Sequence, residues 1–570
     1  MNANSTNNVP RPEHPNPQVR REKWINLNGE WEYATDKGIS GIDRELFNAS
    51  SLPERITVPF CRESDLSGIG DKDFCEACWY LKKINITQED LAGRVHLNIG
   101  ACDYLTKLWI NGKYIGFHRG GYISFRFDIT DALKVGENTV VIGVEDRLRR
   151  DTQPGGKQSK KYYSHACMYT RTTGIWQTVW LEYTPKDYIK SFRLTPDVDA
   201  QRLHIEAELV SSCAHTLTAE ASYDGHTVGK AQVNTGSLRI ALDLPLDELH
   251  LWDVGCGRLY DLTLTFGEDK ISSYFGMRKI ECVDGGLVLN GRRVFQRLIL
   301  DQGFYPDGIY TAPTEQALVG DIERSMAAGF NGARLHEKIF EPLFLYHCDR
   351  LGYIVWGEHA NWGLDIARYE AWEGFIPEWI EALNRDYNHP AIIGWCPLNE
   401  TQTTQNPEFV ACLSALTRAV DPSRLYIDAS GWTHVDGATD IMDMHCYQQV
   451  PALFAQRLAP VANGECIDLR KGYMALPTFI SEYGGIRWAP EQEGWGYGEA
   501  PKTAEEFIDR FTALTKVIMD HPKMTALCYT QLTDVEQEVN GLYTYDRVAK
   551  FDPAIFKAVL SAPAAYEKSN

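Results

Sequence analysis

The stretch AIIGWCPLNET, Ala391 to Thr401, closes an apolar run on an amide and a carboxylate, Asn399 and Glu400. A second apolar run, TFISEYGG, presents Glu482 in the same way. A lone glutamate at a strand end is usually a cap, an ion-pair partner or a solvated side chain. Two glutamates converging about 5 Å apart are the equipment of a retaining glycosidase: one carboxylic acid protonates the leaving oxygen and the other attacks the anomeric carbon. An Asn directly before one of them, and a Tyr on the strand between, favour the chemical reading.

Such a pair meets only if the carboxyl ends of separate strands gather at one mouth, as they do in a (β/α)8 barrel. After Gly276 strand-like runs alternate with helical patterns eight times. The predicted strands are residues 294–301, 332–336, 353–358, 392–399, 425–430, 441–447, 478–483 and 526–532. One predicted helix, TEQALVGDIERSMAAG, opens on a Thr cap and closes on Gly329. A helix from Tyr369 ends at DYNHP, because Pro390 cannot continue it. The stretch 448–476, with Pro451, Pro460 and NGEC, reads as a loop-rich connection. Residues 279–570 are therefore predicted to be a TIM barrel. Its strand ends present Asp301 (one), Arg334 and His336 (two), Asn399 and Glu400 (four), His445 and Tyr447 (six) and Glu482 (seven). Gln531 lies in strand eight and Asn540 in the loop beyond it.

The chain ahead of the barrel is strand-like throughout. Residues 1–185 alternate as a β jelly-roll sandwich would, and 186–278 have the turn spacing of an Ig-like β sandwich. Lys and Arg number 57 against 77 Asp and Glu, a net charge of -20 that argues against nucleic acid and anionic membranes as partners. The polar, Pro-rich start predicts no secretory leader, and scattered cysteines within apolar runs predict reduced thiols, hence a cytoplasmic protein. Cys75 and Cys78 form a lone CxxC without the second ligand pair that zinc requires.

The segments LWINGKYIGFHRGGYISFRFDIT, RTTGIWQTVWLE, GWCPLNE and FISEYGG resemble glycoside hydrolase family 2, which contains β-galactosidases, β-glucuronidases and β-mannosidases. The match runs from about Trp24 to about Asp552 in the family's own order: jelly roll, Ig-like domain, barrel. The resemblance implies Glu400 as acid/base, Glu482 as nucleophile, Asn399 on the sugar 2-hydroxyl and Tyr447 as a hydrogen-bond donor to the nucleophile. It also implies a homo-oligomer, since three-domain members commonly associate. In that role Glu400 should have a raised pKa, partly through repulsion from Glu482, so that it is protonated before the first step.

The sugar contacts depart from the family. QRLILDQGFYPDG replaces the usual first-strand motif, leaving Asp301 and Gln302 to take its place, and RLHEK keeps Arg334 but maps poorly at His336 and Lys338. WGEHANWGLDI lacks the Glu-x-His of magnesium-dependent β-galactosidases, so no metal and no cofactor is expected. QEVNGLYTYDR has Asn540 but not the Lys two places on that binds a uronate in related β-glucuronidases. That favours a neutral sugar, with Lys338, Arg334 or Arg547 as other sources of a cation. Trp432 and Trp488, beyond strand ends, are expected sugar platforms, whereas Trp395 is expected in the core; His359 and His445 read equally as sugar donors or rim residues.

Together these features predict an exo-acting retaining β-glycosidase acting on small glycosides or oligosaccharides. The β-galactosidase type leads, a β-glucuronidase comes next, and a furanosidase for galactofuranosides or arabinosides stays open. The alternative from another class is a non-catalytic carbohydrate-binding protein.

Overall fold

The computed structural model describes residues 9–568 except 466, 471, 472, 476 and 492. Its carboxyl-terminal half is an eight-stranded parallel sheet rolled into a barrel. The strands are, in chain order, Gln296–Asp301, Gly332–Leu335, Ile354–Glu358, Ile392–Cys396, Leu425–Tyr426, Asp443–Cys446, Phe479–Gly484 and Ala526–Thr530. They lie in the order five-four-three-two-one-eight-seven-six. Strand five is only two residues long, and strands five and six share no ladder. The seam is closed instead by single bonds from Asp440 N to the Tyr426 carbonyl (2.9 Å) and from His445 N to that of Gly431 (3.4 Å).

Covered on both faces, these strands carry near-continuous apolar runs, as parallel sheets must. All five residues of Ile392–Cys396 are buried, and each large aliphatic chain so placed contributes about 1.5–3 kcal/mol. Trp395 sits in this core with its indole N–H on Asp421, 2.8 Å away.

Helix α1 (Glu315–Ala327) starts where Thr314 accepts from the amide of Ala317, as its cap residue requires. Helices α2 (Pro342–Leu351), α3 (Tyr369–Asp386) and α4 (Pro407–Val420) follow strands two, three and four. The expected alternation fails once, since among the described residues no helix joins strands five and six. The loop-rich reading of 448–476 also needs correction. Pro451 is the first residue of helix α5 (Pro451–Ala462), a position where its missing N–H costs nothing, and a short antiparallel pair follows it. Pro460 lies in the last turn of α5. Helices α6 (Ala504–Met519) and α7 (Pro553–Leu560) complete the layer.

Ahead of the barrel, a four-stranded and a six-stranded antiparallel sheet face each other between Trp24 and Thr184. Trp31, Tyr80, Leu97, Leu108, Ile142 and Leu181 fill the space between them, and Cys75 and Cys78 are buried in the same core. A second sandwich, of three and four strands, spans Tyr188 to Phe275. The segment 147–173 of the first domain leaves its sandwich and lies against the barrel. There Gly155 N and Gly156 N bond to the Trp362 carbonyl (3.0 and 3.1 Å), and Gln537 Nε2 reaches the Ala166 carbonyl (2.7 Å).

Candidate active site

Arg334, at the end of strand two, is the hub of the barrel mouth and is 2 % exposed. Its Nε donates to Glu358 (2.6 Å), one terminal nitrogen to the Ser481 carbonyl (2.8 Å) and to Glu482 (3.1 Å), and the other to Asn399 Oδ1 (3.1 Å). Burial opposes its charge, but Glu358 and Glu482 outweigh burial and keep the guanidinium charged. Glu358 also contacts His336 Nδ1 at 3.1 Å, so strands two and three bring Arg334, His336 and Glu358 together beside Glu482. The carboxyl of Glu358 is pushed up by burial and pulled partly back by Arg334. Arg334→Met would strand that buried acid. We expect a loss of about 3–5 kcal/mol, read as a lowered Tm, together with loss of any activity that needs an oriented Glu482.

Glu400 and Glu482 meet across His445. Its Nδ1 lies 2.7 Å from Glu400 Oε1, its Nε2 lies 3.4 Å from Glu482 Oε1, and the three ligand-type atoms all fall within 4.8 Å of one another. Ser430, 3.0 Å from Nε2 and 2.7 Å from Asp443, fixes the ring. With Nε2–H donating, the contact at Nδ1 needs one proton, carried by the ring or by the carboxyl. Glu400 itself has φ 51°, a left-handed backbone that a side-chain-bearing residue holds only under constraint. The bond from its amide to the Ser430 carbonyl, 2.8 Å, helps supply that constraint.

The expected rise in the Glu400 pKa is not what this geometry produces. Burial does push the carboxyl up, but the hydrogen bond and charge of His445, then Lys157 and Arg334, outweigh it and leave the group below its ordinary value. A carboxyl so shifted loses its proton at lower pH, so in the acid role expected of Glu400 any rate that needs its proton would fall off from a lower pH. His445→Phe removes the largest lowering influence. In kcat/KM against pH for a glycoside with a poor leaving group, the alkaline limb should then move to higher pH; an unmoved limb would contradict this account of Glu400.

The remaining predicted residues divide into two groups. Tyr447 donates to Glu482 Oε2, contacts Thr530 at 3.1 Å and stacks flat on Tyr497 with ring centres 3.4 Å apart. Burial and the Glu482 charge keep its phenol protonated. Asn399 Nδ2 and Gln531 Oε1 are buried and have no partner among the described residues, so both are free to bind a ligand. Asn540 is different. Its Oδ1 accepts from Gln531 (2.9 Å) and its Nδ2 donates to Glu538 (2.9 Å), so it braces the mouth and keeps one N–H uncommitted.

Asp301 stands apart, accepting from Gly303 N at 2.9 Å, with its carboxyl pushed up to about 6 by burial and by Asp321. Trp488 is no platform, because its ring packs on Phe507 and Phe551, with centres 6.1 and 5.6 Å away. Trp432 is half-buried in the loop after strand five. His359 stacks on Phe375 and contacts Glu378 on α3, so it is a core residue. The three cations considered for a carboxylate are all committed: Arg334 as above, Lys338 to the carbonyls of Gly303 and Tyr310, and Arg547 to Asp321.

Three family models match this chain in order: glycosyl hydrolases family 2, sugar binding domain, at residues 68–185; glycosyl hydrolases family 2 at 187–278; and the family 2 TIM barrel domain at 311–489. The chain belongs to glycoside hydrolase family 2. A putative β-glucuronidase of Formosa agariphila is 26% identical over 430 residues, 70% of this chain and 50% of that protein. A β-galactosidase of Leuconostoc mesenteroides is 26% identical over 469 residues, 73% and 43% of the two chains. The chain thus spans about half the length, or less, of these curated relatives. In fold it is similar to a Lactobacillus rhamnosus β-glucuronidase, with TM-score 0.82 over 97% of this chain and 100% of that one at 18% identity.

Several residues of this family 2 site were not singled out from sequence. Glu358 sits at the end of strand three, where the rule that found Arg334 could also have found it. Glu538 and Tyr169, joined by a 2.5 Å bond, come from the loop after strand eight and from the first domain. Lys157 comes from the same first-domain segment, and its only signal was a Pro-Gly-Gly turn before a Lys. Among the described residues two groupings have metal-ligand types and spacing: Glu400, His445 and Glu482, and, in the second sandwich, Asp187, Cys213 and His215. In both, internal contacts of 2.7 and 2.8 Å already join carboxylate to imidazole.

Proposed function

We propose that this protein is an exo-acting retaining β-glycosidase of the β-galactosidase type, with Glu482 as nucleophile and Glu400 as acid/base. The observation that carries the reading is the separation of the two carboxylates. Their nearest oxygens lie within 4.8 Å, in keeping with the roughly 5–5.5 Å of retaining enzymes and short of the roughly 6.5–9.5 Å that admits water in inverting ones. Glu482 is oriented by Arg334 and Tyr447, so one lone pair can face an anomeric carbon. Glu400 gives the leaving oxygen the proton held between it and His445, then takes one from water in the second step. Asn399 Nδ2 is the free donor for a 2-hydroxyl.

A neutral sugar is supported by Glu538. This buried carboxylate, pushed up by burial and held by Tyr169 and Asn540, would repel a uronate brought beside it. Substrates would be small glycosides or oligosaccharides with a nonreducing terminal galactoside. A β-glucuronidase is the second reading, favoured by the names of several relatives and by the ammonium of Lys157 beside the mouth. Nitrophenyl galactopyranoside, glucuronide, galactofuranoside, arabinoside, mannoside and fucoside separate these readings. The galactopyranoside is expected to have the highest kcat/KM. Preference for the glucuronide would favour the second reading, and binding without hydrolysis across the panel would make the chain a carbohydrate-binding protein.

A further inference from the structure

Lys157 belongs to the first domain yet lies in the barrel mouth. It is 5 % exposed, and its Nζ sits 3.7 Å from the centre of the Trp362 ring. Among the described residues that nitrogen makes no hydrogen bond and no ion pair, although the charges of Glu400, Glu482 and Glu538 all act on it. A buried ammonium normally finds acceptors for its three N–H groups, and leaving them unmet is costly. Burial lowers its pKa, but Cys167, then Glu482, Glu538 and Glu400, outweigh burial and keep the ammonium charged, and none of them is bonded to the nitrogen.

The position of Lys157 is held on every side. Gly156 has φ 55°, and a Cβ there would run into the Glu337 carbonyl oxygen, so the chain passes the barrel where only glycine fits. On the other side Gln158 donates to Asp103 (2.8 Å) and Tyr122 (3.0 Å) and accepts from Thr172 N (2.8 Å). The Lys157 carbonyl accepts from Tyr169 N at 2.7 Å, and Tyr169 is tied to Glu538. Lys160 Nζ bonds to the Gly363 carbonyl at 2.9 Å. Thus 155–169 is fastened to the loops after strands three and eight, and Lys157 projects from a rigid support rather than a free loop.

Just past strands two, four and eight, at the same end of the barrel, three polar atoms are buried and unpartnered among the described residues: Glu337 Oε1, Asn399 Nδ2 and Gln531 Oε1. Four unmet groups of donor and acceptor type, brought to one mouth from two domains, form a cradle for a polyhydroxylated ring. We propose that Lys157 is a substrate-binding residue supplied by the first domain, donating hydrogen bonds to ring hydroxyls of the nonreducing terminal sugar. The inference rests on the glycosidase reading above and extends it, because the jelly roll then completes the sugar site. A hydroxyl is preferred to a carboxylate as acceptor, since Glu482, Glu538 and Glu400 already act on the ammonium and would repel a further negative charge beside it.

The test compares wild type with Lys157→Met, which keeps the stem and removes the charge, on nitrophenyl β-galactopyranoside and its 3-, 4- and 6-deoxy analogues. Lys157→Gln serves as a second variant, and thermal melting checks folding. Loss of a charged donor to a substrate hydroxyl should raise KM about 10–100-fold with a smaller change in kcat. One deoxy analogue should show a comparable penalty in wild type and no further penalty in the variants. Penalties that simply multiply for every analogue, or an unchanged KM in both variants, would overturn the role of Lys157 while leaving the glycosidase reading intact. Loss of glucuronide hydrolysis alone would overturn the hydroxyl assignment. Absence of hydrolysis by wild type across the whole panel would overturn both.

Discussion

Glu482→Gln is expected to lower kcat by at least about 10³-fold on every glycoside, including those with activated nitrophenyl leaving groups. The amide fills the same space, and its one oxygen can still accept from Arg334 while its NH2 turns to the Tyr447 hydroxyl, which can act as acceptor. The fold should therefore survive, and Tm should change little compared with the effect of Arg334→Met. What the amide lacks is the charge needed to attack the anomeric carbon. The check is a kcat measured under saturating nitrophenyl galactoside with purified variant, beside its melting curve. Activity within a few-fold of wild type would remove Glu482 from the nucleophile's role.

Glu400→Ala should behave differently, and the difference separates the two carboxylates. With a poor leaving group the departing oxygen needs the proton, so kcat/KM should fall about 10²–10⁴-fold. With a dinitrophenyl glycoside the first step needs little acid help, and the second step becomes limiting because no base activates water. Added azide should then raise turnover, since the anion attacks the glycosyl–Glu482 ester directly, forms a glycosyl azide and releases the carboxylate. Equal losses on both leaving groups, with no response to azide, would assign Glu400 another task.

The barrel and its two glutamates were legible because their signals are local. A strand that must be apolar on both faces stops being apolar only at its mouth, and Asn399, Glu400 and Glu482 fall there. The connection after strand five was misread because a two-residue strand and an irregular return leave no periodicity to follow. Helix α5 was hidden because Pro451 and Pro460 read as breakers, although a proline in the first turn is compatible with a helix. Trp488 was misplaced because being just past a strand end does not fix which way an indole points; here Phe507 and Phe551 capture it.

The direction of the Glu400 shift was missed for a different reason. Repulsion from Glu482 could be anticipated, but the 2.7 Å contact with His445 depends on how strands four and six face each other. Lys157 was the least legible of all, since it lies about 240 positions from Glu400 in the chain. Nothing in the sequence says that the jelly roll sends a segment over the barrel; only the constraint on Gly156 marks the passage.

The central claim is that Glu482 forms a covalent bond to the sugar, and one measurement tests it most directly. The protein would be incubated with a 2-deoxy-2-fluoro-β-galactosyl donor carrying a dinitrophenyl leaving group, digested, and its peptides sequenced by mass spectrometry. The fluorine slows both steps, and the activated leaving group lets the first outrun the second. The account predicts one fluorosugar per chain, on Glu482 in the peptide that contains FISEYGG. A label on Glu400, or an unlabelled protein that still turns over the parent galactoside, would contradict it.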